Sequence, residues 1–360
     1  VHTLLPIAWY LSLIVITIYY LLIFRARRDK SISQWESPPG VSIVIAVKNG
    51  SQTLRENLHS LLRQDYPKYE IIIIDDYSEP KQQQELEALV DRLPDVFLHR
   101  SDRAPGKKHA LSYGIEKANH AIILCTDADC MPAGPNWIRT MIANTTGKEM
   151  VLGYSPYYRK AGRLNQFIRF ETVMTGIQYL SWCGLGKPYM GVGRNLLFPK
   201  AAFMHSDPYA KSLAVPYGDD DLLVQAIRKD IPACVSLHPD TFVYSEPAES
   251  WRGWFRQKHR HLSAGRFYSL STWLQPGVFG LAVIFHWLLL LPMLWFHVSV
   301  AFDLAFFGGL LIRWFGYASW TKKLGEEDTK WLYPWYEMGY AIYLAVMGLI
   351  TIVSKKEAWN

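Results

Sequence analysis

The hydrophobic positions of this chain fall into two regimes. Residues 4–24 run without a charge, residues 277–320 are interrupted only by Asp303 and Arg313, and residues 335–353 hold a single charge, Glu337. The first run is long enough to cross a ~30 Å hydrocarbon core, and the second long enough for two crossings joined by a turn. Pro276 and Pro292 are placed to kink or break the first of that pair. Between the apolar runs, short stretches rich in β-branched residues alternate with amphipathic ones. The apolar runs at 41–47, 70–74, 96–99 and 122–124 predict buried strands. Residues 53–64 predict a helix with Leu54, Leu58, Leu61 and Leu62 on one face, residues 81–93 a second, and the basic turn SDRAPGKKHAL opens a third. Strand, helix and strand in this order make a βαβ unit and a parallel sheet. Further on, 137–144 predicts a short helix, 151–160 a strand crossing back and 241–244 another strand. Residues 164–182 predict a long helix with Phe167, Phe170, Val173, Met174, Ile177 and Leu180 as its apolar stripe. The stretch SWRGWFRQKHRHLSAGRF predicts a helix lying at a membrane interface, with Trp251, Trp254 and Phe255 at headgroup depth beside Arg252, Arg256, Lys258 and Arg260. The pattern thus gives an α/β domain over 38–265, entered through the linker SQWESPPG, between an N-terminal transmembrane anchor at 1–28 and a C-terminal transmembrane region at 273–360.

Charge adds an orientation. Arg25, Arg27, Arg28 and Lys30 follow the first apolar run at once, which marks that side as cytoplasmic and leaves the N-terminus outside. A cleaved signal peptide carries its charge before a shorter apolar run, so the anchor reads as uncleaved. The segment KKLGEEDTK then becomes a cytoplasmic loop. If 335–353 spans, Lys355 and Lys356 finish outside, against the positive-inside tendency; if it lies in the interface or re-enters, they stay inside. Asp303 and His297 sit near helix ends, within reach of water. The net charge of +6 is modest and partly beside apolar segments, which suits a membrane surface or an anionic substrate rather than nucleic acid. Cys125, Cys130, Cys183 and Cys234 form no metal-binding spacing and fit a reducing compartment. A transporter is excluded by the small number of apolar helices.

The candidate chemistry gathers at strand ends. Asp127-Ala128-Asp129 closes the strand at 122–124 and offers two carboxylates to one hard divalent cation, Mg²⁺ or Mn²⁺, which in turn holds a diphosphate; alternatively Asp127 starts a turn and Asp129 caps the next segment. Asp75 and Asp76 close the second strand, either accepting hydrogen bonds from a base or ribose or capping the following helix. Lys107 and Lys108 at a helix N-terminus suit phosphate. Asp219, Asp220 and Asp221 precede an amphipathic helix; their mutual repulsion raises at least one pKa and suits a proton acceptor, unless all three cap the helix.

Taken together, VSIVIAVKNG, IIIIDDYS, APGKKHAL and ILCTDADC resemble, in order and rough spacing, the family-2 glycosyltransferases, whose GT-A fold is a Rossmann-like α/β domain that binds a nucleotide-sugar. The resemblance spans about residues 41–265. It implies that Ala46 to Lys48, Asp75 and Asp76 line the nucleotide pocket, that Lys107 lies near the diphosphate, and that Asp127 and Asp129 hold the sugar-nucleotide and its metal. MGVGRNLLFPK resembles the Gly-rich acceptor loop of that family, in which Gly191 and Gly193 allow close backbone approach and Arg194 and Asn195 contact sugar or phosphate. The family's acidic base motif falls on PYGDDDLLVQAIRKD; aligning its apolar positions on Leu222 and Val224 gives Asp219 as the base, and a shift by one gives Asp220. Gln257 to His261 resembles the QxxRW motif of membrane-integrated processive synthases such as cellulose and hyaluronan synthases, with His261 in place of Trp. There Gln257 and Arg260 would hold the acceptor end and the leaving diphosphate. The expected protein is a membrane-bound inverting glycosyltransferase of a bacterial inner membrane or its equivalent. Its catalytic domain is cytoplasmic, and it moves a sugar from a nucleotide-sugar, UDP-linked by preference, to a lipid or glycan acceptor. The missing Trp favours single transfer over a processive polysaccharide synthase. A catalytically silent scaffold subunit of the same fold is the alternative outside enzymes.

Overall fold

A computed structural model describes residues 4–25, 35–210, 213, 218–296 and 299–353. Arg27, Arg28, Lys30, His297, Lys355 and Lys356, which carry parts of the topology reading, lie outside the described residues. The chain divides into two compact units that interleave in sequence. One is built around a sheet and takes in residues up to Tyr158 and again Gly186–Pro247; the other is helical and takes in the N-terminal run, Arg159–Leu185 and the chain from Ala248 onward. Residues 159–185 and 248–265, placed within the sheet domain on sequence, therefore cluster with the apolar helices.

In chain order, helix α1 (Leu4–Ile18) is followed by a π-turn at Tyr19–Ile23, and the sheet unit begins with β1 (Val41–Val47). Then come α2 (Ser51–Leu62), β2 (Tyr69–Asp75), α3 (Pro80–Val90), β3 (Val96–Arg100), α4 (Lys107–Lys117) and β4 (Ile122–Cys125). The four strands are parallel neighbours in the order β3-β2-β1-β4. The runs of β1, β2 and β4 are buried almost throughout, with no polar alternation, because both faces are covered, whereas the edge strand β3 leaves Phe97 exposed. After β5 (Cys130–Pro132), α5 (Trp137–Ala143) and β6 (Met150–Leu152), the chain leaves for the helical unit and returns with β7 (Leu196–Pro199), α7 (Lys200–Ser206), α8 (Asp219–Ile227), β8 (Ala233–Val235) and β9 (Val243–Ser245). Among the described residues the main sheet runs β3-β2-β1-β4-β7-β6-β8, with β7 antiparallel to both β4 and β6. The strand expected at 151–160 shortens to β6; Pro156, which has no N–H to donate, lies where it would continue.

The register explains where a ligand can enter. Val47 of β1 stands opposite Asp75 of β2, whereas β4 pairs only as far as Cys125 opposite Val44. Strand β1 therefore projects past β4 at the carboxyl edge. Strand order also reverses between these two strands, the point at which an open α/β sheet leaves a crevice.

The helical unit contains α6 (Arg163–Gly184), α9 (Trp251–Ser263), α10 (Leu270–Leu288), α11 (Leu290–Phe296), α12 (Val300–Lys323) and α13 (Tyr333–Val353). The predicted stripe of α6 is buried throughout, and so are its polar residues Arg169 and Glu171. Arg169 donates to Asp328 Oδ2 from Nη1 at 2.8 Å and to Glu326 Oε2 from Nε at 2.7 Å, so the loop read as simply cytoplasmic is fastened by a buried ion pair. Lys258 pairs with Glu171. The Trp254 ring is covered by protein, packed against Phe167 and Tyr343 at centroid distances of 5.5 and 4.9 Å, while Trp251 and Phe255 on the same helix remain exposed. Among the described residues three helical segments, Leu4–Ile23, Leu270–Trp295 and Val300–Lys323, are long and apolar enough to cross a membrane. The first exposes Leu4, Ile7, Leu11, Ile14 and Ile18 along one stripe and buries Trp9, Leu13 and Ile16 on the other. The middle segment runs through Pro276 and breaks only between Leu288 and Leu290. Asp303 is exposed in the first turn of α12, where a negative charge suits the helix dipole.

Candidate active site

The crevice between β1 and β4 is walled by short loops whose backbone is fixed by side chains. Beyond β1, Ala46 is half-buried and Lys48 exposed, and Asn49 turns the chain with a positive φ of 52°. Its amide donates to Ser78 Oγ at 2.8 Å, and its carbonyl Oδ1 accepts from Glu79 N–H at 2.8 Å, which locks the β1 and β2 loops together. Asp75 and Asp76 are both buried at this edge. Neither caps α3, whose N-cap is Glu79. Asp75 Oδ1 accepts from Ser78 N–H at 3.1 Å, closing its own turn, and Asp76 Oδ1 accepts from Gly106 N–H at 2.8 Å. Gly106 has φ 142°, a conformation that L side chains avoid. The carboxylate of Asp76 and the freedom of Gly106 thus set the start of α4 and aim Lys107 into the crevice.

Lys107 joins two parts of the chain that the sequence keeps apart. Its Nζ lies 2.9 Å from Asp127 Oδ1 and 2.9 Å from Asp219 Oδ2. Burial alone would lower its pKa, but the two carboxylates more than offset that and hold the ammonium charged. On Asp219, burial raises the pKa and the charge and hydrogen bond of Lys107 lower it; the net result lies below the usual carboxylate value. Asp220, the next residue in the first turn of α8, behaves oppositely. Burial and the charge of Asp219 push it up to about 6, against Lys107 and against the N–H groups of Gly193 and Asp221, which donate to its carboxylate at 3.2 and 2.9 Å. Of the three consecutive carboxylates, Asp219 is held by a cation and Asp220 is left as a weak base near neutrality. Lys108, also buried, is lowered to about 8 by burial despite Asp219 and Asp220, and its Nζ lies 5.8 Å from the ring centroid of Tyr209. The Tyr209 hydroxyl donates to the backbone carbonyl of Asp219 at 2.7 Å. No sequence pattern singles out Tyr209, which becomes part of the site only through the fold.

The Gly-rich loop packs closely on the start of α8. A Cβ on Gly193 would lie 3.2 Å from Asp220 Cβ, and one on Gly191 would lie 3.1 Å from Val224, so these glycines let the loop close on α8. Asn195 does not face a ligand. It is fully buried, donates to the carbonyls of Tyr154 and Thr241 at 2.8 and 2.7 Å, and accepts from Trp137 Nε1 at 3.1 Å. Any Cβ on Gly153 would meet Asn195 Nδ2 at 2.3 Å. Gly153→Ala is therefore expected to destabilise the sheet unit by ~1–3 kcal/mol, read as a lower thermal midpoint; an unchanged midpoint would show that the Asn195 post can shift freely. Arg194 places its guanidinium 4.9 Å from the Tyr157 ring centroid, donates to Ser155 O at 2.9 Å, and feels the Asp127 charge, which helps keep it protonated.

Asp127, Asp129 and Cys130 can bring three ligand atoms within 4.8 Å of one another. Burial holds the Cys130 thiol well above its ordinary pKa, so it stays protonated, and it donates to Asp129 Oδ1 at 3.2 Å. Two hard carboxylate donors with a protonated thiol behind them fit Mg²⁺ or Mn²⁺ better than a thiolate-seeking metal, with ligand oxygens left to be supplied from outside. Gln257 and Arg260, half-buried and exposed respectively, lie on α9 in the helical unit.

Residues 42–205 match the family model described as glycosyl transferase family 2. A poly-beta-1,6-N-acetyl-D-glucosamine synthase of Staphylococcus epidermidis is 32% identical over 134 residues, covering 34% of this chain and 31% of that one. The protein of the same name from Staphylococcus aureus strain COL is 31% identical over 90 residues, covering 25% and 22%. The chain thus matches less than a third of the length of these curated relatives. Among solved structures, a mannosyltransferase of Pyrobaculum calidifontis in complex with GDP-Man and Mn²⁺ aligns over 97% of this chain and 98% of its own with a TM-score of 0.60, at 16% identity, a likeness of fold. Residues 42–205 are thus similar to the glycosyl transferase family 2, and the chain has an α/β fold of the GT-A type.

Proposed function

We propose that this protein is a membrane-bound inverting glycosyltransferase that moves a sugar from a nucleotide-sugar to a lipid or glycan acceptor, on the cytoplasmic face of the membrane it spans. The observation that carries this reading is the Lys107 bridge, with 2.9 Å to Asp127 on one side and 2.9 Å to Asp219 on the other, because it brings the Asp127/Asp129 pair and the acidic start of α8 into one site. In this reading Asp127 and Asp129 hold a divalent cation, which when bound neutralises charge on the departing diphosphate. Ala46, Lys48, Asp75 and Asp76 line the base and ribose side. Lys107 and Arg194 stay charged and face the diphosphate, with Gln257 and Arg260 of α9 assisting the leaving group. Asp220, rather than the cation-held Asp219, takes the proton of the acceptor hydroxyl as it attacks the anomeric carbon from the face opposite the leaving group. A single displacement of this kind inverts the configuration. UDP is the favoured nucleotide. The second reading is a polysaccharide synthase, favoured by the similarity to the staphylococcal poly-beta-1,6-N-acetyl-D-glucosamine synthases.

The test uses purified full-length protein with Mg²⁺ or Mn²⁺, a panel of UDP- and GDP-sugars, and release of nucleoside diphosphate as readout. Metal-dependent release from one donor, absent in Asp129→Ala, is the expected outcome. Equal release from the variant would remove the metal assignment, and no release from any donor with lipid extract supplied would favour the silent-subunit alternative.

A further inference from the structure

Helix α9 carries Arg252, Arg256, Lys258 and Arg260, and of these four Lys258 is the one that is buried. It pairs with Glu171 of α6, which is itself buried and whose other carboxylate oxygen accepts from the Thr175 hydroxyl at 3.1 Å. One turn earlier on both helices, Trp254 packs on Phe167. The inward stripe of α9, Trp254 and Lys258, therefore meets Phe167 and Glu171 of α6 at the same i, i+4 spacing. Arg169, the other buried cation of α6, is committed to Glu326 and Asp328 and cannot stand in for Lys258. Turning α9 by one residue, about 100°, would carry the ammonium off Glu171 and strand two buried charges. The ion pair thus selects one rotation among those that an aromatic and basic helix permits. With Trp254 and Lys258 inward, Trp251, Phe255 and Leu262 lie exposed on one flank, and Gln257 and Arg260, an i, i+3 pair, share the other.

We propose that Glu171 and Lys258 are positioning residues for the transfer: their buried ion pair fixes the rotation of α9 and with it the direction in which Gln257 and Arg260 are held. The proposal rests on the transferase reading above, in which Gln257 and Arg260 assist the leaving diphosphate, and it names what orients them. Lys258 is committed to Glu171, so it acts through its neighbours on α9 and not on substrate. Help to a leaving group grows as charge develops on it, so losing the orientation lowers kcat and leaves donor KM nearly unchanged.

The experiment uses the whole chain in detergent and reads kcat and donor KM from nucleoside diphosphate release, together with the thermal midpoint. Glu171→Gln combined with Lys258→Met removes both charges and leaves no buried ion unpaired, so the fold is kept while the pin is gone. Its kcat is expected to fall about 10–100-fold, with donor KM within about threefold of wild type and the midpoint nearly unchanged. Glu171→Lys combined with Lys258→Glu restores a pair in reverse order and should regain most of the loss. Placed in an Arg260→Ala background, the neutral pair should cause a much smaller further fall, because the residue it orients is already absent. A readout without turnover is the labelling of Arg256→Cys by a water-soluble maleimide, against a background of four buried native cysteines. The neutral pair should change its rate and the reversed pair should return it. Full turnover in the neutral pair, or a loss of equal size with and without Arg260, overturns the positioning role and leaves the transferase reading standing. No nucleotide release by wild type overturns that reading instead, and the labelling then decides the pin: a changed rate in the neutral pair upholds it and an unchanged rate overturns it.

Discussion

Asp220→Asn is expected to lower kcat by about 10²–10⁴-fold, the range for loss of a general base, while leaving the KM or Kd of the nucleotide-sugar close to wild type. Asparagine keeps the size and can still accept from Gly193 N–H, which lies 3.2 Å from the Asp220 carboxylate, so the loop that closes on α8 is preserved and only the proton acceptor is lost. The pH dependence supplies a second readout with a definite sign. With its pKa pushed up to about 6, Asp220 is protonated and inactive as a base below that value and ionised above it, so wild-type kcat should rise through an acid limb near pH 6. That limb should vanish in the variant. Asp219 lies below the usual carboxylate range because Lys107 holds it; Asp219→Asn should keep the limb but move it to lower pH, since the Asp219 charge is part of what raises Asp220, while weakening the hold on Lys107. Stability should move the other way from activity. A carboxyl whose folded pKa is raised is charged at a cost to the fold once the pH exceeds its unfolded value, so Asp220→Asn should melt slightly higher than wild type at neutral pH. A variant with full turnover, or an acid limb that disappears only in Asp219→Asn, would return the base to Asp219.

That division between adjacent carboxylates shows where sequence reasoning stops. The parallel strands β1, β2 and β4 are legible because each is buried on both faces and so appears as a nearly continuous apolar run; β1 occupies the predicted 41–47 and β4 extends the predicted 122–124 by one residue. The short antiparallel strands β5 and β7 and the parallel β8 hold three or four residues each, too few for periodicity to separate them from loop. The same distinction holds in the site. Asp127, Lys107 and the acidic run at 219–221 stand out as residue types at element ends, but their pairing is a tertiary fact. Whether Lys107 meets Asp219 or Asp220 depends on the rotation of α8 about its axis, which Gly191 and Gly193 permit by letting the loop approach. Asp75 and Asp76 illustrate a further limit: a carboxylate at a strand end reads as ligand or cap, and the backbone N–H groups of Ser78 and Gly106 that these two hold are visible only in the fold. Trp254 reads as interfacial because aromatic and basic residues alternate around it, yet Phe167 and Tyr343 from distant segments bury it.

The helical unit carries the other large effect. Arg313 of α12 and Glu337 of α13 are both completely buried, with Arg313 Nε 3.3 Å from Glu337 Oε2. Arg313 Nη1 meets His286 Nε2 of α10 at 3.1 Å, Trp287 Nε1 donates to Glu337 at 3.3 Å, and the Tyr333 hydroxyl donates to the other Glu337 oxygen while sharing a 3.0 Å hydrogen bond with Tyr20. One charged pair thus ties α10, α12, α13 and the turn after α1. A buried pair of this kind adds little net stability over well-packed apolar side chains, but breaking it leaves an uncompensated charge. Arg313→Met or Glu337→Met alone is therefore expected to cost ~3–5 kcal/mol, seen as a collapse of the detergent-solubilised thermal midpoint and of the yield of folded protein. The double variant should recover most of that loss, since Trp287, His286 and Tyr333 each lose a hydrogen-bond partner but no charge is left uncompensated. Recovery in the double variant would identify the pair as a register pin for the bundle. A double variant no better than the worse single would mean that the charges themselves are needed, and an undamaged single would mean that water reaches the pair and relieves it.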